Sequence, residues 1–321
     1  MAKVKAMAAQ SYGPLEGLRP MDVPLPVPGP GEARVRVAAS ALNPADYKVL
    51  LGQMKLLHGR VWPLVLGYDF SGTVDAVGPR VTEISVGDQV FGFLPYGPGN
   101  RRGAFAEALI ARVDQLAPKP AGVPHEIAAA SATTGVTALQ AIRDLGRLPA
   151  AGGRLLVTGV SGGVGSISVA IGLKLGASVT AVGTGQGLEL ARRLGAIEAL
   201  DRSAGNLPSR IQGSFDVVFD AAAAYRWGAW GSVLEPGGAF VTTLPSLTFV
   251  ADKLRSLLSS TRVHLVTVKP RRADLERVAQ WLKEGLDVPL AATIPVREVA
   301  AGLAQLQRSG GRIAVQVQGG F

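Results

Sequence analysis

Cysteine is absent from all 321 residues. That excludes a disulfide framework, a thiolate zinc site, an iron–sulfur cluster and a cysteine nucleophile together. Histidine is nearly absent too. His58, His125 and His264 stand in unrelated surroundings without metal-ligand spacing, so no metal site is expected. Aromatic residues make up only 6% against 41 glycines, which favours tight turns and close backbone approaches over bulky cores. A membrane segment is not expected either. Leu155–Leu173 carries no charge and is about as long as a span, but Gly159, Gly162, Gly163 and Gly165 interrupt it and Lys174 follows. The opening MAKVKAMAAQ lacks the apolar stretch of a signal peptide, so a cytoplasmic location is the expectation.

Hydrophobic residues reach 47% and charged residues 18%, which excludes disorder. The net charge of +9 invites a nucleic-acid reading. The excess is nevertheless even: residues 1–121, 122–267 and 268–321 each carry +3, with no basic arm or stripe. A nucleic-acid partner is therefore not expected.

The chain changes grammar near Pro120. Before it, short apolar runs (Ala33–Ala38, Gly72–Val77, Gln89–Phe93, Ala104–Ala111) are separated by Pro/Gly turns, as in a small β-barrel. After it come small helix-compatible residues at Ile127–Ile142. Strands then alternate with helices: Arg154–Thr158, a helix over Val164–Leu175, Ser178–Val182, a helix over Gly187–Leu194, Phe215–Asp220, Ala239–Thr243 and Val263–Val268. That alternation marks a doubly wound parallel sheet. Helices at Ala273–Gly285 and Val296–Leu306 and a strand at Ile313–Val317 close the chain.

The strongest chemical signal is Leu155–Gly165, LLVTGVSGGVG, an apolar strand running into glycines and then a helix. Gly159 turns out of the strand, Gly162 admits a pyrophosphate to the backbone, and Gly165 lets helix and strand pack closely. Ser161, Gly163 and Val164 complete a loop whose helix N-terminus offers N–H groups to phosphate. The second strand ends Gly183-Thr184-Gly185-Gln186 without the acid that would hold an unphosphorylated ribose. Thr184 and Gln186 are donors to a 2′-phosphate and Arg202 a source of charge, so NADP is expected over NAD. Asp220 ends a strand at the ligand-binding edge, with a turn-capping role equally open.

Further segments carry a family likeness. Ala41–Lys48 (ALNPADYK), Pro63–Gly72 (PLVLGYDFSG), Val86–Val90, Gly103–Glu107, Gly159–Gly165 and Leu234–Gly238 together resemble the medium-chain dehydrogenase/reductase superfamily, most closely its zinc-independent quinone oxidoreductase branch. The resemblance spans nearly the whole chain. It implies an α/β protein with a GroES-like β-barrel catalytic domain (1–121 and 268–321) and an inserted Rossmann domain (122–267). NADPH in the cleft and a homodimer formed through Val263–Val268 are implied as well. Zinc-dependent relatives hold metal with Cys, His and Glu; here Asn43 and Asp69 stand at such positions, and no metal is expected. A lysine common in relatives after the second Rossmann strand is replaced by Gly187, and an aromatic near the third by Arg202.

Hydride transfer without zinc leaves developing oxygen charge to hydrogen-bond donors. Asn43 and Tyr47 are the expected donors, with Lys48 a third candidate. Thr134 and Thr137, read as opening a helix, and Arg312, which replaces a common lysine, are expected at the cofactor. Phe91, Phe93 and Tyr96 are read first as barrel core, with an apolar wall for a planar substrate as the second reading, and His58 first as an ordinary loop residue, with a substrate-lining role second. The expected substrate is a quinone or similar electron-poor carbonyl. Enoyl or enone (C=C) reduction is the alternative, and a dinucleotide-binding regulator or nucleic-acid binder with little catalysis is the alternative of another class.

Overall fold

The structure, a computed structural model, describes residues 2–55, 62–96, 103–205, 207–309 and 311–321. His58 and the Arg101-Arg102 pair lie outside the described residues. The first part of the chain forms β1 (Lys3–Ala9), β2 (Arg19–Pro24), β3 (Glu32–Ala41), α1 (Pro44–Leu50), β4 (Leu64–Val65), β5 (Asp69–Val77), β6 (Gln89–Phe93), β7 (Ala108–Arg112), β8 (Leu116–Pro118) and α2 (His125–Leu139). The middle adds β9 (Arg154–Thr158), α3 (Gly163–Lys174), β10 (Ser178–Gly183), α4 (Gln186–Arg193), β11 (Glu198–Asp201), α5 (Leu207–Arg210), β12 (Phe215–Asp220), β13 (Leu234–Thr242), α6 (Leu247–Ser256) and β14 (Arg262–Leu265). The chain ends with α7 (Arg272–Lys283), β15 (Ala292–Pro295), α8 (Val299–Ser309) and β16 (Ile313–Gln316).

β3 organises the first unit. Eight of its ten residues pair with β5 along one side, while on the other the first half meets β7 and the last three residues meet β16. The sheet path is β15-β16-β3-β5-β6-β8, so the chain's final strand is stitched beside one of its earliest. The glycines that the composition foretold serve here as close approaches. A Cβ on Gly72 would run into the carbonyl of Arg36, and one on Gly103 into that of Leu66. Phe70, Phe91, Phe93 and Phe105 are fully buried inside this GroES-like unit. Phe91 and Phe93 therefore belong to the core rather than to a substrate wall.

The second unit is a six-stranded parallel sheet in the order β11-β10-β9-β12-β13-β14. That is the doubly wound order, with chain reversal between β9 and β12. Sheets covered by helices on both faces read as continuous apolar runs. Leu155–Val157, Val217–Phe219 and Val241 are accordingly without exposure. The strand expected at Val263–Val268 is shorter, Arg262–Leu265, and lies at the sheet's edge.

The compact units are Met1–Thr133 with Lys269–Phe321, and Thr134–Val268. The first division falls twelve residues beyond the expected 121/122, inside α2. Three bonds tie the helix's first part to the barrel unit: His125 Nδ1 with Ser71 Oγ (2.8 Å), Ala130 O with Arg312 Nε (2.8 Å) and Thr133 N with Asp69 Oδ1 (2.7 Å). Among the described residues no helix is long and apolar enough to cross a membrane.

Candidate active site

In the parallel-sheet unit, Gly159 leaves β9 with φ +74°, the left-handed region that favours glycine. A Cβ there would lie 2.6 Å from that of Ala222. Gly162 N closes the turn onto Gly159 O (2.9 Å), and α3 begins with Ser166 N on Gly162 O (2.9 Å). The N–H groups of Gly163, Val164 and Gly165 therefore belong to the first helical turn, which has no acceptor within the helix. Gly165 is packed so closely that a Cβ would strike the Gly159 carbonyl. Gly162 differs: the nearest atom to a Cβ there is 3.4 Å away. One glycine thus serves the turn, one the packing, and the middle one keeps open space beside free N–H groups. That cradle fits a dinucleotide pyrophosphate.

The end of β10 sits against this loop. Ser161 Oγ donates to Thr184 O (3.3 Å), and a Cβ on Gly183 would lie 2.7 Å from Val160 Cγ2. Gly187 backs onto Ser161 with no room for a Cβ, so the lysine of relatives is sterically excluded here. Thr184 and Gln186 are exposed. Arg202 begins a single turn directly after β11 and is exposed, and its charge reaches the Tyr225 hydroxyl. The sequence reading missed Asp201, which pairs in register with Gly183. The Ser203 backbone N–H and hydroxyl both bond its carboxylate (2.8 and 2.7 Å) and hold it below the usual range. Asp220 caps its own turn: it accepts from Thr158 Oγ1 (2.5 Å), Ala224 N (3.2 Å) and Tyr225 N (2.8 Å). Thr134 and Thr137 are buried in the later turns of α2, not at its start, which removes any capping role.

In the barrel unit, Asn43 precedes α1, with Pro44 at its first helical position. The Asp46 carboxylate reaches back to Asn43 N (2.7 Å) and also accepts from Gly67 N (3.0 Å). Asn43 corrects the expectation placed on it. Its Nδ2 donates to Asp69 Oδ2 (2.7 Å), its Oδ1 accepts from Arg312 Nη1 (2.9 Å), and the residue is buried. The amide is engaged inward rather than held out to an acceptor. Arg312 is corrected in the same way. Its guanidinium is buried and bonded within the barrel unit to Ala130 O, Leu42 O (2.7 Å), Asn43 Oδ1 and Asp69 Oδ2 (2.5 Å). A buried charge demands such partners, and they leave its donors few bonds to give elsewhere. Tyr47 and Lys48, one and two residues past Asp46, are half-buried. Neither side chain bonds another described residue.

Burial sets the ionisation here. Asp46 is pushed up to about 7 by desolvation, against the two backbone N–H bonds and Arg312, with Asp69 adding to the rise. Tyr96 stacks on Tyr68 with ring centroids 4.1 Å apart, and both hydroxyls are held above their ordinary range, chiefly by burial. Burial lowers His125 and pushes His264 down to about 4.

A barrel unit built from both ends of the chain, with an inserted parallel sheet and a glycine turn opening its first helix, defines a dehydrogenase architecture. Comparison with known proteins agrees. The family profile for the alcohol dehydrogenase GroES-like domain matches residues 29–121, and that for zinc-binding dehydrogenase matches 194–313. The chain belongs to the medium-chain dehydrogenase/reductase superfamily. A 2-methylene-furan-3-one reductase of Solanum lycopersicum is 30% identical over 84% of this chain and 71% of that protein. A chloroplast envelope quinone oxidoreductase homolog of Arabidopsis thaliana is 29% identical over 87% of each. A zinc-type alcohol dehydrogenase-like protein of Schizosaccharomyces pombe is 33% identical over 63% of this chain, which spans only 59% of that relative. The quinone oxidoreductase from Coxiella burnetii shares the fold, with a TM-score of 0.87 at 24% identity over 98% of this chain and all of that one.

The zinc of some relatives does not fit the residues present. There is no thiolate, and among the described residues no cluster of three His, Asp or Glu could hold a metal. The carboxylate at the expected position, Asp69, carries a guanidinium.

Proposed function

We propose that the protein is a zinc-independent, NADPH-dependent oxidoreductase that delivers hydride to a quinone or similar electron-poor carbonyl acceptor. The glycine cradle carries this reading: three glycines in three distinct steric roles leave free N–H groups at the start of α3. The names of the Arabidopsis and Solanum relatives support the reductive direction. Bound NADPH supplies the hydride. The chain's own work is to hold it and to meet charge on the acceptor. The Gly163, Val164 and Gly165 N–H groups would hold the pyrophosphate, Gly159 and Ser161 shape the loop, and Gly183, Thr184, Gln186 and Arg202 would hold the 2′-phosphate. Thr134 and Thr137 line the cofactor from α2. Tyr47 donates to the developing oxyanion, with Lys48 as the second donor. Asn43 acts from behind, through the bonds that seat α1.

Tyr47→Phe is expected to lower kcat about tenfold with the NADPH KM unchanged. That is less than the roughly 10²–10³ lost with an oxyanion donor of acyl transfer, because Lys48 remains. Steady-state kinetics at saturating acceptor check it, and an unchanged kcat removes Tyr47 from this role. The second reading, enone reduction, draws on the Solanum relative's name and uses the same residues. A planar ortho-quinone beside a linear enone separates the two.

The homodimer belongs to the same proposal. β14 lies at a sheet edge, and the neighbouring α6 segment exposes Leu247, Val250, Leu254, Leu257 and Leu258. An exposed stripe of that kind is unusual on a monomer. Sedimentation is expected to show twice 33.2 kDa, and a concentration-independent monomer would count against it.

A further inference from the structure

The buried cluster around Arg312 is more elaborate than a pair of charges needs. Its guanidinium donates to four acceptors on three separate segments: Leu42 O and Asn43 Oδ1 before α1, Asp69 Oδ2 on β5, and Ala130 O in α2. Asp69, fully buried, is equally shared. Its Oδ2 also accepts from Asn43 Nδ2 and its Oδ1 from Thr133 N. Next to Arg312, Ile313 O accepts from Leu42 N at 2.9 Å. Apart from the Arg312–Asp69 pair itself, the bonds of the cluster thus fall on the residues immediately before α1 or on α2 within a turn of Thr134. Those are the two places from which the proposed donors and the proposed cofactor contacts Thr134 and Thr137 are carried.

We propose that Arg312 and Asp69 are positioning residues. Arg312 acts as a fixed internal cation that seats the N-terminus of α1, and with it Tyr47, while Asp69 grips α2 just ahead of its cofactor-side threonines. An arginine is required rather than a lysine, because only a planar fork reaches a carboxylate, an amide oxygen and two carbonyls at once. Asn43 is the coupling piece. Both ends of its amide are held, so it transmits the position of the cluster to the helix start. The inference rests on the oxidoreductase reading for its kinetic consequence, but not for its structural one.

Two readouts test it. Arg312→Lys keeps the charge beside Asp69 and loses the multidentate reach. Its expected effects are a five- to twentyfold lower kcat at unchanged KM for NADPH, and at least tenfold faster hydrogen exchange of the α1 backbone amides with the thermal midpoint nearly kept. The paired variant Asp69→Leu/Arg312→Met removes both buried charges, an exchange that proteins often tolerate. It is expected to fold and to show the same split, with kcat falling more than tenfold. A folded variant with kcat within twofold of wild type and α1 exchange unchanged would make the cluster a mere fold staple and overturn the proposal. If the paired variant does not fold, Arg312→Lys alone decides in the same terms. Absence of NADPH turnover in the wild type would remove the oxidoreductase reading, and the α1 exchange comparison would then decide this one.

Discussion

Gly165→Ala is expected to weaken NADPH binding by about 10- to 100-fold and to lower the thermal midpoint. Gly162→Ala is expected to weaken binding comparably and leave the midpoint where it is. The contrast follows from what a methyl group meets. At Gly165 it strikes the Gly159 carbonyl, so α3 and the turn out of β9 must separate. Overpacking of that kind costs about 1–3 kcal/mol, and each 1.4 kcal/mol is about tenfold in affinity when the binding geometry is what is lost. At Gly162 the backbone is extended, with φ −96° and ψ 164°, and nothing but the Gly159 oxygen at 3.4 Å stands near. The free protein accepts the methyl group, and only a pyrophosphate against the loop would feel it. Fluorescence titration with NADPH, beside thermal denaturation without it, checks both. Undiminished affinity in Gly162→Ala would mean that phosphate does not lie on this loop.

A pH-dependent loss of stability is expected from Asp46, and Asp46→Asn is expected to remove it. The carboxyl titrates near 7 in the folded chain and near its ordinary 3.8 when unfolded. Between those values the folded state holds a proton that the unfolded state has released, so stability falls as pH rises and the loss is complete above about 7. From pH 5 to pH 8 the loss comes to about 2–3 kcal/mol, at about 1.4 kcal/mol per tenfold change in proton affinity. The asparagine keeps the neutral shape but accepts only one of the two backbone N–H groups, which is a constant offset. His125 and His264 work in the opposite sense, since burial lowers both, but they are present in both proteins and cancel. Urea unfolding of the pair at pH 5 and pH 8 reads the difference. Asp46→Asn should gain on wild type by that amount at the higher pH, and parallel curves would show Asp46 ionised throughout.

The parallel sheet was legible because its physics is local. Buried strands such as RLLVT and FDVVFD read as apolar runs, and a glycine turn has few other uses. Expected strands Arg154–Thr158, Gln89–Phe93 and Phe215–Asp220 stand at those bounds. β1, β2 and β15 went unread, since their half-exposed residues carry Lys, Arg, Asp and Pro that blur a two-residue period. In the candidate site, residue types were visible but partners were not. Arg312 and Asp69 lie 243 positions apart, and no sequence period reports that contact. That is why Asn43 was read as a donor to substrate when its amide faces inward. Asp46 was a missed opportunity: an acid three residues after Asn43, just inside a proline-led helix, is a capping-box signature. Asp201 meets Gly183 only through the register of two parallel strands, which no local pattern reports.

Hydride transfer from NADPH without zinc is the step on which the proposed function stands. Its most direct test is oxidation of NADPH by the purified protein with an ortho-quinone, followed at the nicotinamide absorbance with and without a zinc chelator, and with NADH in parallel. Turnover with NADPH that the chelator leaves intact, and that exceeds turnover with NADH, is the expected result. Failure to bind either nucleotide, or activity that the chelator abolishes and zinc restores, would contradict it.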